Sequence, residues 1–561
     1  MGRQGDHDAV TSIRELADEL VHRLFANEPF LGSSLGVREY DAFVPDLAPE
    51  ARRDFAESVA NIRAEAVAVE PDEPEDRIVR GAVIGACDRA AHRIEIAAET
   101  YTVTDVPMEG PPVLFALAAR TALPDEQAAT DYLSRLSGAG TWFAQSAQRI
   151  RDGHEAGRLP VASLVEKALA WCDRQLQQDG PAALIAPQPP EGWDGADAWR
   201  EERDRVIADS VRPELRAWRD LLAELQPSAR DDEHAGLGAL PGGAELYERC
   251  IAVHTTLPST ADELHEVGRA AVAELEARAV ELGRSIGLPN LDAVRAAVRA
   301  SSAQTDAAAA LATAREAVKR AEARAPEIMP PPLPDPCAVE PMPETVAEAG
   351  AAPHYTRPRA DTGRPGTFWF NTMRATAGVG WDLEAVAFHE AVPGHHSQLA
   401  RLQRLPDLPM LLQCSVTVHS EGWGLYAERL AEEFGLYSGV QAQLGSVYIE
   451  LHRASRLVVD TGLHHRGWSR RRARQYLLDH VALPEQFLAD ETDRYIAWPG
   501  QALAYLSGQR EILRLRQEAT DRLGPDFGLP AFHAAILDHG SLPMPVLADA
   551  VASWITDRQV S

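Results

Sequence analysis

Residues 388–398, FHEAVPGHHSQ, bring together four side chains that can carry metal chemistry: His389, Glu390, His395 and His396. Zinc hydrolases commonly place two histidines on one helix, with a glutamate beside the first as general base. On a regular helix, His395 would lie about 240° round from His389, and His396 about 20° round but about 10.5 Å along the axis. Neither of them therefore reaches a metal shared with His389 from an undistorted helix.

Pro393 and Gly394 predict a distortion of this helix. Proline removes a hydrogen bond to the preceding turn, and glycine tolerates backbone dihedrals that other residues avoid. A two-residue bulge here would return His395 to the position that the second histidine normally takes. We therefore predict His389 and His395 as metal ligands and Glu390 as the general base, and we keep His396 as the alternative to His395.

The third ligand is expected on a following helix, as a carboxylate or an imidazole. Residues 419–435, HSEGWGLYAERLAEEFG, offer Glu421, which we predict as the third ligand of one zinc ion per chain. Glu428 lies on the same helix face and could orient a ligand from behind. His419 is a rival ligand in the same segment.

The rest of the sequence reads as mainly helical. Apolar residues recur at three- and four-residue spacing from Ala9 to about Leu225, and the segment 227–243 is rich in glycine and acidic residues. We predict a helical N-terminal lobe over residues 1–230 and a mainly helical catalytic region over 231–561, the two intertwined as one unit. Ser259 is the expected N-cap of a helix that follows the boundary.

An extended segment is expected directly before the metal-binding helix. Residues 325–343, APEIMPPPLPDPCAVEPMP, contain prolines that prevent a helix, and residues 366–374, GTFWFNTMR, read as a strand of a small sheet. A strand at this place could present its edge to an extended peptide.

The composition limits the partners and the location. The net charge of −29 would repel phosphate backbones, so nucleic acid is excluded as an expected partner. No apolar run is long enough for a membrane span, and the N-terminal residues are charged from the start. Five cysteines without a C-x-x-C pair read as thiols of a reducing compartment, which predicts the cytoplasm.

Five segments resemble the bacterial domain-of-unknown-function family 885 (DUF885), which is placed among the gluzincin-type zinc peptidases. They are YTRPRADTGRPGTFWFN (355–371), HEAVPGHHSQ (389–398), EGWGLYAERL (421–430), RLVVDTGLHHRGWS (456–469) and RYIAWPGQALAYLSGQ (494–509). The resemblance implies a mainly α, two-lobed fold with a deep groove between the lobes and a small sheet near the metal site. It also implies zinc-dependent hydrolysis, with a downstream glutamate as third ligand.

The resemblance further implies a tyrosine that donates to the reaction intermediate. Tyr505 is the first candidate, because Pro499 and Gly500 would form a turn that opens its helix, and Tyr495 is the second. His464 could bind a substrate carbonyl or carboxylate. The supporting polar network around the substrate would consist of Arg456, Asp460 and Arg494.

The expected function is hydrolysis of short peptides, with Glu390 taking a proton from water bound to the metal. A long helical lobe ahead of the site suggests a lid that admits short peptides or a small amide substrate and excludes folded proteins. Two alternatives stay open: a metallohydrolase of non-peptide amides or esters, and a catalytically silent peptide-binding protein. The first would hydrolyse amide metabolites rather than peptides, and the second would bind ligands without turnover.

Overall fold

The computed structural model describes residues 12–560, apart from 178–181, 302–305, 344–346, 348–351, 359–362, 373–379 and 406. The charged N-terminal residues, on which part of the predicted location rests, therefore lie mostly outside the described residues. So do the last two residues of the predicted strand segment 366–374 and four residues of the segment 355–371. The described chain is mainly helical with a small three-stranded sheet, which confirms that part of the predicted fold.

The elements that the structure describes within residues 12–285 are helices, apart from one isolated β-bridge between Val161 and Arg230. They are α1 (Ile13–Asn27), α2 (Pro29–Ser34), α3 (Pro49–Ala68), α4 (Pro74–Ile96), α5 (Pro111–Ala118), α6 (Glu126–Glu155), α7 (Ala162–Gln177), α8 (Ala182–Ile185), α9 (Ala196–Val206), α10 (Arg212–Leu225), α11 (Gly243–Thr255) and α12 (Ala261–Ser285). A π-helical segment, Ile207–Val211, joins α9 to α10.

The second half contains the sheet and the helices that surround it. The helices are α13 (Leu291–Ser301), α14 (Ala307–Ile328), α15 (Leu383–Glu390), α16 (His395–Leu402), α17 (Met410–Gln413), α18 (Thr417–Glu433), α19 (Val440–His464), α20 (Arg470–His480), α21 (Glu485–Ala497), α22 (Ala504–Leu523), α23 (Leu529–Leu537) and α24 (Met544–Val560). The strands are β1 (Ala338–Pro341), β2 (His354–Thr356) and β3 (Thr367–Phe370).

Helix α12 begins one residue later than expected. Thr260, not Ser259, is the N-cap, because its hydroxyl accepts from the backbone of Glu263 while the Glu263 carboxylate accepts from the backbone of Thr260. This reciprocal pair needs a Glu or Gln three positions after the cap, and Thr260 has Glu263 there, whereas Ser259 has the shorter Asp262.

The strand before the metal-binding helix lies in the middle of the sheet. The strand order is β1-β3-β2, with β1 parallel and β2 antiparallel to β3. Both edges of β3 are thus paired, so the prediction that this strand presents its edge to a peptide is wrong. The outer strands are β1, where Arg315 donates to the carbonyl of Val339, and β2.

The hydrophobic packing does not follow the predicted division at residue 230. Helices α1, α3 and α4 share one core with β1, β3, α14, α15, α17, α18, α19, α22, α23 and α24. A second core is formed within residues 103–225 by α5 to α10. Helices α1, α3 and α4 therefore pack with the C-terminal half of the described chain, across the predicted boundary.

Other features of the described residues bear on location. None of the helices in this part of the chain is both long and apolar enough to cross a bilayer. All five cysteines are unpaired, and four of them are buried.

Candidate metal centre

The segment FHEAVPGHH folds as two helices with a break between them, rather than as one helix with a bulge. Helix α15 ends at Glu390, the Val392–Pro393 peptide bond is cis, and α16 begins at His395. A Cβ atom on Gly394 would lie 1.9 Å from the carbonyl oxygen of His389, so the close approach requires glycine. The break turns the chain back on itself and brings the rings of His389 and His395 to 4.8 Å between centroids.

A tryptophan of the next long helix holds this break in place. The indole of Trp423, in α18, donates to the carbonyls of Pro393 and Gly394 at 3.0 and 3.2 Å. Trp423 is fully buried, and α18 also carries Glu421. The hydrogen bonds therefore fix the position of α16 relative to the helix that supplies the predicted third ligand.

His389, His395 and Glu421 meet at one point. Oε2 of Glu421 lies 3.5 Å from Nε2 of His389 and 3.8 Å from Nε2 of His395, and one ligand atom from each residue falls within 4.8 Å of the others. Zinc bonds of about 2.0–2.2 Å place neighbouring tetrahedral ligands about 3.4 Å apart. Two imidazoles and one carboxylate are also the donor set of catalytic zinc sites with an open position, so these residues fit a zinc ion.

Glu428 supports the cluster from behind. Its carboxylate lies 2.8 Å from Nδ1 of His389, and both side chains are buried. A carboxylate at this position orients the ring, so that Nε2 of His389 is directed to the cluster. Nδ1 of His395, in contrast, is buried without a hydrogen-bond partner in the described structure.

The pKa values of Glu421 and Glu390 are shifted in opposite directions. Burial opposes charge on His389, yet hydrogen bonding to Glu421 and Glu428 outweighs burial and raises the pKa of His389 to about 10. Burial would likewise raise the pKa of Glu421, but its contacts with His389 and His395 hold that pKa well below the usual value. Burial raises the pKa of Glu390 even though both histidines counteract it. Glu421 is thus held as an anion, whereas Glu390 is the carboxyl group that retains a proton more readily.

His396 points away from this cluster. Its Nε2 donates to the carbonyl of Asp335 at 2.8 Å, and its Nδ1 lies 3.0 Å from the hydroxyl of Tyr355 in β2. Both ring nitrogens are engaged in holding the extended proline segment and the sheet. The geometry therefore favours His395 over His396 as the second ligand. His419 also lies outside the cluster, and its Nδ1 accepts from the backbone of Leu542.

Tyr495 and His464 occupy structural positions. Tyr495 is fully buried, and its hydroxyl donates to Glu491 at 2.8 Å and accepts from Nε of Arg456 at 3.0 Å. His464 accepts at Nδ1 from the backbone of Leu237 and donates from Nε2 to the carbonyl of Tyr495. Burial also lowers the pKa of His464 to about 4, so that the ring is neutral. No polar atom of these two side chains is left for a substrate.

The residues predicted as a supporting network form two buried clusters. Asp460 accepts from the hydroxyl of Tyr247 at 2.6 Å and from the backbone of Gly500, while burial raises the pKa of Asp460 to about 7. Arg456 and Arg494 both bind the carboxylate of Glu491. These contacts hold α11, α19 and α21 together, and the predicted direct contact of the three residues with substrate finds no support in them.

Tyr505 lies beside a residue that the sequence did not single out. The guanidinium carbons of Arg453 and Arg456 lie 5.0 and 4.5 Å from the centre of the Tyr505 ring. The charge of Arg453 also lowers the pKa of Glu390. The hydroxyl of Tyr505 has no hydrogen bond to any described residue. Arg453 therefore acts on Glu390 and lies beside Tyr505. The one sequence signal for Arg453 is its place one helical turn before Arg456.

A separate cavity of about 70 Å³ lies in the N-terminal part of the chain. Its walls include Glu28, Glu109, Trp142 and Trp218. None of the cluster residues lines it, so the cavity is not part of the candidate metal centre.

Comparison with known proteins identifies relatives along almost the whole chain. The sequence model of DUF885, described as a bacterial protein of unknown function, matches residues 29–551. The crystal structure of a putative lipoprotein from Colwellia psychrerythraea is similar over 98% of this chain and 100% of its own, with a TM-score of 0.88 and 23% identity. A putative lipoprotein of unknown function from Shewanella oneidensis matches 96% of this chain and 100% of its own, with a TM-score of 0.75 and 18% identity. No curated protein matches the sequence. At these identities the two structures show a shared fold.

Proposed function

The chain belongs to the bacterial family DUF885, and from the geometry of its His389–His395–Glu421 cluster we propose that it is a zinc-dependent hydrolase. Within that class we propose a gluzincin-like peptidase that cleaves short peptides. The observation that carries the proposal is the convergence of two imidazoles and one carboxylate at zinc-like spacing, with Glu390 adjacent in the chain to the first imidazole.

Each residue of the cluster has a defined part in this proposal. His389, His395 and Glu421 hold the metal, and Glu428 fixes the ring of His389 through Nδ1. A bound zinc ion supplies Lewis acidity and lowers the pKa of a bound water to about 7. A carboxylate oxygen of Glu390 accepts the proton of the attacking water and then donates it to the leaving nitrogen. A raised pKa suits Glu390 for both transfers.

Tyr505 is the residue that we assign as donor to the developing oxyanion. A hydroxyl that donates to no other group breaks no hydrogen bond when it turns to the substrate. The hydroxyl of Tyr505 has no hydrogen-bond partner in the described part of the chain. Tyr495 is unsuited to this role because Glu491, Arg456 and His452 already occupy its hydroxyl.

The proposal is tested by measuring zinc content and peptide hydrolysis for wild type, Glu390→Gln and Glu421→Ala. Wild type is expected to hold about one zinc per chain, and Glu390→Gln to keep the metal while losing about 10²–10⁴-fold in turnover. Glu421→Ala is expected to lose the metal. His396→Gln is the matched control, because it removes a neighbouring imidazole that faces the sheet, and it should keep the metal.

Three outcomes would change the assignment. A wild-type protein that binds no stoichiometric metal when zinc is supplied removes the basis of the proposal. Turnover of amide or ester metabolites without peptide hydrolysis makes the protein a metallohydrolase of another substrate class. Peptide affinity without turnover, in wild type as in Glu390→Gln, makes it a binding protein.

The location in the cell is also a proposal. Unpaired cysteines and the acidic composition favour the cytoplasm. The description of the two structurally similar proteins as putative lipoproteins favours an extracytoplasmic place instead. We keep the cytoplasm as the expected location. Fractionation of cells that express the natural gene decides between the two.

A further inference from the structure

Arg453 is a cation without a carboxylate partner at the centre of the catalytic half. It lies on α19, and its Nη1 donates to Nδ1 of His452 at 3.2 Å. Its Nε is buried and has no hydrogen-bond partner, and Nη2 makes no hydrogen bond to a described residue either. No Asp or Glu of the described chain lies within ion-pair distance of its guanidinium. One whole edge of the guanidinium, Nε and Nη2, is therefore not engaged.

The neighbours of Arg453 do not supply the missing ion pair. Arg456 and Arg494 share the single carboxylate of Glu491, and Nη1 of Arg456 is also buried without a hydrogen-bond partner in the described structure. His452 adds no charge, because burial lowers its pKa to about 3 and leaves it neutral. Buried cations are normally paired, because an unpaired one loses its hydration without compensation. The unpaired guanidinium donors here indicate a place for an anionic ligand.

The geometry of this place suits a carboxylate. A guanidinium edge presents two parallel N–H donors at the spacing of the two carboxylate oxygens. The ring of Tyr505 lies 5.0 Å from the guanidinium carbon of Arg453 and 4.5 Å from that of Arg456, and no described residue hydrogen-bonds its hydroxyl. Arg453 is also close enough to interact with Glu390 and Glu428 of the metal centre.

We propose that the unpaired edge of Arg453, with Tyr505, binds the C-terminal carboxylate of a peptide whose last peptide bond lies at the metal cluster. The protein would then be a carboxypeptidase that releases residues from the C-terminus of short peptides. This inference rests on the proposed function and specifies its substrate class. Arg453 is a specificity-determining residue in this scheme, because its charge is matched by the free terminus and not by an internal or amidated residue.

The kinetic test compares N-acetyl-Ala-Ala-Phe as the free acid with the same peptide as the C-terminal amide. The zinc-loaded wild type is expected to prefer the acid by at least about tenfold in kcat/KM. Arg453→Gln should lower kcat/KM for the acid about 100-fold, mainly through KM, and lower kcat/KM for the amide much less. Arg453→Lys should fall in between, since an ammonium keeps the charge and loses the fork. Arg510→Gln, which removes an exposed arginine of α22 without a described ion pair, is the matched control.

A binding test separates failure of this inference from failure of the proposed function. Calorimetric titration of zinc-loaded Glu390→Gln with the same acid and amide requires no turnover. Tighter binding of the acid, lost in the Glu390→Gln and Arg453→Gln double variant, supports the carboxylate site even if no peptide is hydrolysed. Equal binding and equal hydrolysis of acid and amide overturn it, as does a loss in Arg453→Gln that is the same for both peptides. If Arg453→Gln fails to fold, Arg453→Lys and the wild-type comparison decide the question.

Discussion

His395 and His396 are adjacent in the chain and belong to different parts of the molecule. His395 faces Glu421 in the candidate metal centre, whereas His396 holds Asp335 and Tyr355. The side chains of successive helix residues point about 100° apart, so the first turn of α16 directs one histidine to the candidate metal centre and the next to the sheet. The start of this helix therefore connects the candidate metal centre to the sheet through two neighbouring side chains.

The substitution Glu428→Gln tests the carboxylate that contacts Nδ1 of the predicted ligand His389. The amide can still accept from His389 but carries no charge, so we expect zinc affinity to fall about 10–100-fold while the stoichiometry at saturating zinc stays at one. Competition with a chelator of known affinity measures the change. Glu433→Gln is the matched control, because Glu433 lies on the same helix, is exposed and pairs with Arg516. Equal affinity in wild type and Glu428→Gln would show that Nδ1 of His389 needs no carboxylate.

At this scale the sequence predicted the residues that converge in the candidate metal centre but not those around it. The compact motif and the glutamate after it were sufficient to select His389, His395 and Glu421, because their chemistry is local in sequence. Arg453 was not predicted, since a single arginine in a long helix is typical of a solvated face. Its lack of a carboxylate depends on the packing of α19, α21 and α22, which no local pattern encodes. The prediction that His464 binds substrate found no support for the same reason: its hydrogen bonds to Leu237 and Tyr495 depend on packing that no local pattern encodes.

Helix α18 is shaped by glycines at its two closest contacts. A Cβ on Gly422 would lie 2.6 Å from the backbone of Gly508 in α22, and a Cβ on Gly424 would lie 2.5 Å from the ring of His389. The first glycine sets the distance between two helices, and the second leaves room for a predicted ligand. Glycine normally weakens a helix by about 1 kcal/mol relative to alanine, so close packing is the reason for its presence at both positions.

Gly424→Ala should separate helix stability from the metal centre. The methyl group collides with the ring of His389 and turns it, so zinc affinity is expected to fall at least about tenfold. Improved helix propensity offsets part of the packing strain, and the free energy of unfolding of the zinc-free protein should change by less than about 1.5 kcal/mol. Zinc titration and denaturant unfolding measure the two quantities.

Gly422→Ala is the comparison for this prediction. Its methyl group meets the backbone of α22, which cannot move aside as a side chain can, and we expect a loss of about 1–3 kcal/mol in stability. Zinc affinity of the folded fraction should stay close to wild type. A reversed pattern, with metal affinity lost in Gly422→Ala and retained in Gly424→Ala, would contradict the assignment of the two contacts.

Among the elements, the helices were predictable and their interruptions were only partly so. Pro393 and Gly394 predicted a distortion of the helix. The sequence does not distinguish a bulge from two separate helices, because the difference depends on the hydrogen bonds from Trp423 in a later helix. The strand at residues 366–370 was recognisable from its aromatic residues. Its central place in the sheet was not, since strand order is decided by β1 and β2 on either side.

The whole molecule is organised around a core that joins the two ends of the described chain. Leu16, Leu20 and Phe25 of α1 belong to the same core as Phe388 of α15 and Phe532 of α23. Residues that are far apart in sequence thus stabilise one another, and α15 and α18, which carry predicted ligands, share this core with helices near the N-terminus. The predicted division into lobes could not reveal this, because helical periodicity shows which face is apolar and not what it packs against.

A fragment that begins at residue 231 is expected not to fold. It lacks α1, α3 and α4, and their absence exposes a large part of the main core. The expected result is aggregation or a non-cooperative unfolding transition, with no stoichiometric zinc. Residues 98–230, which contain the separate core of α5 to α10, are the comparison fragment and should keep helical circular dichroism. A cooperative, zinc-binding fragment 231–561 would refute this expectation.

Zinc should stabilise the molecule as a whole. The cluster connects α15, α16 and α18, so a ligand bound there to the folded state alone raises the free energy of unfolding by about 2.7 kcal/mol at a free concentration 100-fold above the Kd. The thermal midpoint of wild type is therefore expected to fall after chelation and to recover when zinc is added. Glu421→Ala should show the same midpoint with and without zinc. A midpoint of wild type that does not respond to chelation would indicate that the three helices are held without metal.

The octapeptide EGWGLYAE at 421–428 has a further consequence for how this family can change over time. Six of its eight positions make a specific contact: Glu421 with His389 and His395, Gly422 with Gly508, Trp423 with the carbonyls at 393 and 394, Gly424 with the ring of His389, Tyr426 with His533, and Glu428 with Nδ1 of His389. The remaining two, Leu425 and Ala427, are fully buried. Three of the six contacts meet at His389, so a substitution at any one of these three positions disturbs the same ring. We expect this octapeptide to tolerate fewer substitutions than any segment of equal length on the surface, which would make it a sharper marker of distant homologues than the histidine motif.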